Sequence, residues 1–280
     1  MIMSLNLHYF FRRVLLYAFS IIPLRMPAPS DEEIDVIIPI TKKDLKILPY
    51  CLDGVKRNVT NKIRQIFVVS ALDEEILLFC KRNDIVFIDE EGVLGFGPKD
   101  VNLFVKGGYD RSGWLFQQLI KLSGTIGTCN NYLCIDSDHV LIRDHTFLTN
   151  RNKFVFYMSS EYHQPYYNII RRISSLRYLS PLSYVAHKMI FNKEQVLSLQ
   201  NEIEKNTGKI WYEGVLDYYD RNEGAGFSEF ELYGNFCFNK IFRPWRQKLL
   251  PYDKLKSFEE LCELYESKYI SLTFPDYVNS

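Results

Sequence analysis

Residues 34–40 read IDVIIPI, a stretch with one charge and five β-branched positions. A strand with one wet face would alternate apolar and polar residues. An unbroken apolar run is how a strand covered on both faces reads. Working outward, IRQIFVVS (63–70) and IVFIDEE (85–91) repeat the pattern, and YLCIDSD (132–138) is a fourth instance. The segments between them read differently. ALDEEILLFCKRN (71–83) carries Asp73 and Glu74 near its start and Lys81 and Arg82 near its end, as a helix dipole favours. RSGWLFQQLIKLSG (111–124) predicts a helix closed by Gly124. TKKDLKILPYCLDGVKRN has helical spacing that Pro49 interrupts, and GVLGFGPKD (92–100) reads as loop. Alternating strands and helices predict an α/β fold with a mostly parallel central sheet flanked by helices. The second half is less regular, with strand patterns at 154–160 and 183–191 and helices near 193–206 and 257–267. No boundary is visible after the first 30 residues, so residues 31–280 are read as one domain.

The bulk numbers narrow the function classes. Of 280 residues 47% are hydrophobic, enough for a sizeable core. Lys plus Arg equals Asp plus Glu at 34 each, which argues against a nucleic-acid binder with its usual basic excess. The six cysteines form no Cys-x-x-Cys pair and several sit in apolar runs, which suits a reducing, cytoplasmic setting without a zinc site. Residues 8–27, HYFFRRVLLYAFSIIPLRMP, hold an apolar run from Val14 to Leu24 behind Arg12 and Arg13, ended by Pro23, Pro27 and Pro29. The run is short for a membrane span, which needs about 20 apolar residues. It reads equally as an interfacial helix in peripheral membrane contact or as a helix packed on the body.

In an open α/β sheet, ligands bind at the carboxyl ends of the strands. Asp136 and Asp138 stand there, after the fourth strand, and in extended conformation they would share a face. Two carboxylates so close repel unless a cation sits beside them. Mg²⁺ or Mn²⁺ suits such a pair and leaves room for substrate phosphates, which points to chemistry on a phosphate ester or diphosphate. The plain alternative is a solvated turn. GVLGFG lacks the Lys-Ser/Thr of a phosphate-binding Walker loop.

DVIIPITKKD (35–44), QIFVVS (65–70) with Asp73 beyond it, and IDSD (135–138) resemble the nucleotide-sugar site of GT-A-fold glycosyltransferases. Together with RSGWLFQQLIKL, YLCIDSDHVLI, SYVAHKMIFNK and FSEFELYGNF, in this order, the chain is similar to a bacterial GT-A-like family tied to surface-polysaccharide synthesis. The resemblance implies a nucleotide-sugar donor, UDP-linked, and a glycan or lipid-linked acceptor. It implies that Asp138 ligates the metal, and that Asp136 contacts the ribose, the metal or a metal-bound water. Pro39, Thr41, Asp44, Ser70 and Asp73 fall on the nucleotide side by their places at strand ends. Arg111, Gln118 and Lys121 are candidates for the diphosphate, although solvated charge is the commoner fate of such residues; Trp114 is read as core. Glu229 and Glu231 are candidates for the base of an inverting transfer, with Glu229 preferred. His187 lies in an apolar strand pattern, where a histidine is commonly core; the resemblance makes it a contact to acceptor or sugar phosphate. The family's second histidine is replaced by Lys188. His139 is read as a supporting residue at most.

Two rivals remain. IDSDHV also fits the first motif of haloacid-dehalogenase-like phosphatases, with Asp136 as nucleophile. A non-catalytic glycan-binding protein on the same fold is the other.

Overall fold

The computed structural model describes residues 2–22, 25–275 and 278. The chain forms α1 (Ile2–Ile21), β1 (Ile34–Pro39), a 3-10 turn (Lys42–Lys46), α2 (Leu48–Asn58), β2 (Ile63–Ser70), α3 (Glu74–Arg82), β3 (Val86–Asp89), α4 (Glu90–Leu94), α5 (Pro98–Val101), β4 (Phe104–Val105), β5 (Tyr109–Asp110), α6 (Ser112–Lys121), β6 (Asn131–Ile135) and β7 (His139–Leu141). It continues with β8 (Phe154–Met158), α7 (Gln164–Ile173), β9 (Lys188–Asn192), α8 (Lys193–Thr207), α9 (Trp211–Tyr218), α10 (Glu229–Phe236), β10 (Lys240–Pro244), β11 (Gln247–Leu249), α11 (Phe258–Tyr265) and β12 (Ser271–Thr273).

The central sheet runs β3-β2-β1-β6-β9. β1, β2, β3 and β6 are parallel, and β9 joins the edge of β6 antiparallel. Every residue of β1 and β6 is buried, as their unbroken apolar runs require. A smaller sheet, β11-β12-β7, packs against α2, and β8 pairs with β10. Asp35, the one charge in the first strand, is fully buried yet satisfied. It accepts from Arg64 Nε at 2.9 Å and from the backbone N–H groups of Thr128 and Cys129 at 2.8 and 2.9 Å. A buried charge is tolerated only with such partners.

Three local expectations change. Pro49 does not interrupt a helix; it sits in the first turn of α2, where its missing N–H would have had no partner. The glycine-rich stretch after β3 is not all loop. It forms α4, ended by Gly95 in the left-handed region (φ 79), and α5. The strand expected over 183–191 begins only at Lys188. Residues Ile2–Ile21 are helical, while Pro23 and Leu24, the expected end of the apolar run, lie outside the described residues. No helix among the described residues is long and apolar enough to cross a membrane.

Candidate active site

A cleft of about 700 Å³ opens at the carboxyl ends of β1 and β6. Pro39, Thr41 and Asp44 line it from the end of β1, and Arg111, Trp114, Gln118 and Lys121 from α6. Asp136, Asp138, His187 and Glu229 complete the wall. The helical spacing of Trp114, Gln118 and Lys121 explains why all three arrive together. Trp114 is half-buried: it packs against the core on one side, and at the cleft the Arg111 guanidinium lies 4.2 Å from the centre of its ring.

The aspartate pair is brought together by a turn, not by an extended strand. β6 stops at Ile135, and His139 N–H closes a turn onto the Asp136 carbonyl at 3.0 Å. The two carboxylates have different surroundings. Asp136 is engaged on both oxygens: Lys121 Nζ donates to Oδ1 at 2.6 Å, and His187 Nδ1 lies 3.0 Å from Oδ2. Burial would raise its pKa, but Lys121 and His187 outweigh burial and hold it well below the usual carboxylate range. No described residue hydrogen-bonds the Asp138 carboxylate. Burial, only partly offset by His187, pushes it up to about 6. Ligand atoms of Asp136, Asp138 and His187 all lie within 4.8 Å of one another. Two carboxylates and an imidazole fit a Mg²⁺- or Mn²⁺-like cation, which would also relieve the unmet charge on Asp138.

His187 does not sit within a strand. It precedes β9 with φ 58, a left-handed conformation that costs a non-glycine residue about 1–2 kcal/mol. Its carbonyl accepts from Asp136 N–H at 2.9 Å, which fixes the two residues face to face. Lys188 turns the other way and is fully buried, with Nζ 2.9 Å from His139 Nε2 and 3.2 Å from Ser271 Oγ. Burial lowers its pKa well below that of an ordinary lysine. His139 is buried as well and also contacts Thr273 Oγ1, at 2.6 Å.

α10 separates the two glutamates. Glu229 enters the cleft, where Lys121 Nζ meets its Oε1 at 2.7 Å. Burial raises its pKa, with Lys121 opposing. Glu231 does not line the cleft. Its Oε1 accepts from Ser183 Oγ at 2.5 Å and from Tyr167 OH at 3.1 Å. Burial pushes its pKa up to about 7. On a helix, residues two apart point about 200° apart, so the pair cannot share a wall.

Ser70 and Asp73 also fall outside the cleft. Ser70 is buried at the end of β2. Asp73 caps α3, accepting from the N–H groups of Glu75 and Ile76 at 2.9 and 3.2 Å. Asp44 plays a similar local part, accepting from Thr41 N–H at 2.7 Å, but it does so at the cleft.

Sequence reasoning missed Glu161, which lines the cleft after β8. Burial raises its pKa, and no described residue hydrogen-bonds its carboxylate. Nothing in the local pattern around Glu161 marks it; only the tertiary fold brings it to the site. Two buried donors at the cleft also lack partners among the described residues: Arg111 Nε and Gln118 Nε2. Orphaned buried donors are costly and point to a ligand that supplies acceptors. Asp136, by contrast, has both oxygens engaged, which disfavours a nucleophilic role.

A family model described as a family of unknown function (DUF6492) matches residues 31–263. No curated protein matches the sequence. Among solved structures, mouse xyloside xylosyltransferase 1 in its apo form is similar at 11% identity, covering 89% of this chain and 99% of that one with a TM-score of 0.50. An active-site mutant of LgtC matches at 15% identity, 86% and 87% coverage and a TM-score of 0.48. The galactosyltransferase LgtC with donor and acceptor sugar analogs follows at 14% identity, 86% and 87% coverage and a TM-score of 0.47. The likeness to the xylosyltransferase is one of fold, and the fold is GT-A-like.

Proposed function

We propose that this chain, which belongs to the family of unknown function DUF6492, is a metal-dependent glycosyltransferase that takes its sugar from a nucleoside diphosphate. The observation that carries this reading is the Asp136–Asp138–His187 cluster, within 4.8 Å, beside the unpartnered donors of Arg111 and Gln118 at the end of a parallel sheet. Asp138, Asp136 and His187 would hold the cation, which when bound neutralises diphosphate charge as the leaving group departs. Arg111 and Gln118 offer N–H donors to phosphate oxygens. Pro39, Thr41 and Asp44 form the side on which the nucleoside rests.

Lys121 bridges Asp136 and Glu229 and so fixes both carboxylates before substrate arrives. Glu229 is the base we assign for the acceptor hydroxyl. A buried carboxylate with a raised pKa is a better proton acceptor than an ordinary glutamate, and Lys121 keeps its charged form available. A base of this kind suits inverting transfer. Glu161 is the second candidate because its carboxylate has no partner to give up. The donor is read as a UDP-sugar, and the acceptor as a glycan or lipid-linked sugar of surface-polysaccharide synthesis at the inner face of the cell membrane.

The test is transfer of labelled sugar from a panel of nucleotide sugars, with Mn²⁺ and with chelator. Glu229→Gln is expected to lower kcat by about 10²–10⁴-fold with little change in donor KM, the span a general base supplies. Loss confined to Glu161→Gln would move the role to Glu161. No transfer from any nucleotide sugar, with or without metal, would contradict the assignment.

A further inference from the structure

α1 is built inside out for a helix in water. Its arginine at position 12 faces the body, with NH1 3.0 Å from Tyr167 OH and the guanidinium 4.4 Å from the centre of the Tyr162 ring. Its outward face is mostly apolar, with the exposed Arg13 at its edge. Phe10, Val14, Tyr17 and Ile21 follow at i, i+4, i+7 and i+11, one stripe down the helix, and are 65%, 47%, 69% and 62% exposed. Phe11 widens the stripe at 57% exposure. A contiguous exposed apolar stripe of this length marks an interaction face.

The stripe runs into a second feature. Ile21 and Met26 also line a cavity of about 680 Å³, whose other wall carries Arg143, Arg243 and Arg246. Asp144 and Glu266 line it too, so the arginines are in excess by one. Arg143 is exposed, and its guanidinium makes no ion pair or hydrogen bond with any described residue. Arg25 is exposed near the same end of α1. A second copy of the chain would cover the stripe but leave the basic cavity unexplained. Apolar side chains beside an excess of guanidinium charge are what the boundary between acyl chains and phosphate headgroups takes up.

We infer that α1 lies flat in the surface of an anionic phospholipid bilayer, its Phe10–Ile21 stripe in the acyl boundary and the Arg143–Arg246 cavity over a lipid phosphate. The docking stands independently of the sugar-transfer assignment.

Flotation of the full chain with phosphatidylcholine vesicles, with and without phosphatidylglycerol, tests it. The wild type is expected to float with anionic vesicles and far less with neutral ones. The double variant Phe10→Ser/Tyr17→Ser should stay behind with both, at an unchanged melting temperature because both rings are mostly exposed. Arg143→Glu should weaken binding to anionic vesicles by roughly thirtyfold, since each basic group near such a surface is worth about 1 kcal/mol and reversing the charge forfeits about twice that. Wild type that does not float, or variants that float equally well, would overturn the inference. So would a dimer in sedimentation that Phe10→Ser/Tyr17→Ser dissolves, because a second copy would then own the face.

Discussion

Lys121 decides the electrostatics of the site. Its ammonium is buried between two carboxylates, Asp136 and Glu229, at 2.6 and 2.7 Å. Burial disfavours its charge, but the two carboxylates more than compensate and keep it protonated. Removing one partner of a buried ion pair strands the other and costs about 3–5 kcal/mol. Lys121→Met is therefore expected to lower unfolding free energy by about that amount in urea titration. A change under 1 kcal/mol (roughly the value of an exposed pair) would contradict this placement. Glu231 makes a second prediction. Its pKa rises from 4.5 in the unfolded chain to about 7 in the fold, so the folded state holds its proton longer. Stability from this group is full below the unfolded value and is lost as pH climbs through about 7. Glu231→Gln removes that loss. Its melting temperature relative to wild type should be higher at pH 8 than at pH 5. Parallel curves across that range would count against the raised pKa.

Among the elements, α2 and β7 meet at unusually close range. A Cβ on Gly54 would lie 2.7 Å from Leu141 N and 2.8 Å from its carbonyl oxygen. Alanine would gain about 1 kcal/mol of helix propensity, but it would collide with backbone that cannot rotate away. The clash wins, since overpacking typically costs about 1–3 kcal/mol. Gly54→Ala is expected to lower the melting temperature, and a rise would show that α2 stands further from β7. How much was legible from sequence follows the length and purity of each pattern. β1, β2 and β6 announced themselves because parallel strands buried on both faces leave unbroken apolar runs. β11 and β12, at three residues each, are too short to carry a period. The pattern of FSEFELYGNF fits strand and helix alike, so the preference for Glu229 over Glu231 rested on resemblance and not on which face each residue takes. His187 looked like a strand residue because the run around it is mostly apolar; the left-handed turn that aims it at Asp136 leaves no mark in composition. Asp73 looked like a ligand because strand ends and helix caps attract the same residue type.

At the scale of the whole molecule, the proposed activity comes down to a cation and a sugar nucleotide meeting at one rim of the sheet. Asp44 and Asp138 enter this rim from the turns that follow neighbouring parallel strands, Glu229 from α10 and Glu161 from beyond β8. Such convergence from distant parts of the chain is why Glu161 could not be read in advance. Calorimetric titration of UDP into the wild type and Asp138→Ala, each with Mn²⁺ and with chelator, tests the claim most directly. Binding by the wild type is expected to weaken at least tenfold under chelation, and Asp138→Ala to be folded but indifferent to Mn²⁺. Equal affinity in all four titrations, or none in any, would contradict it.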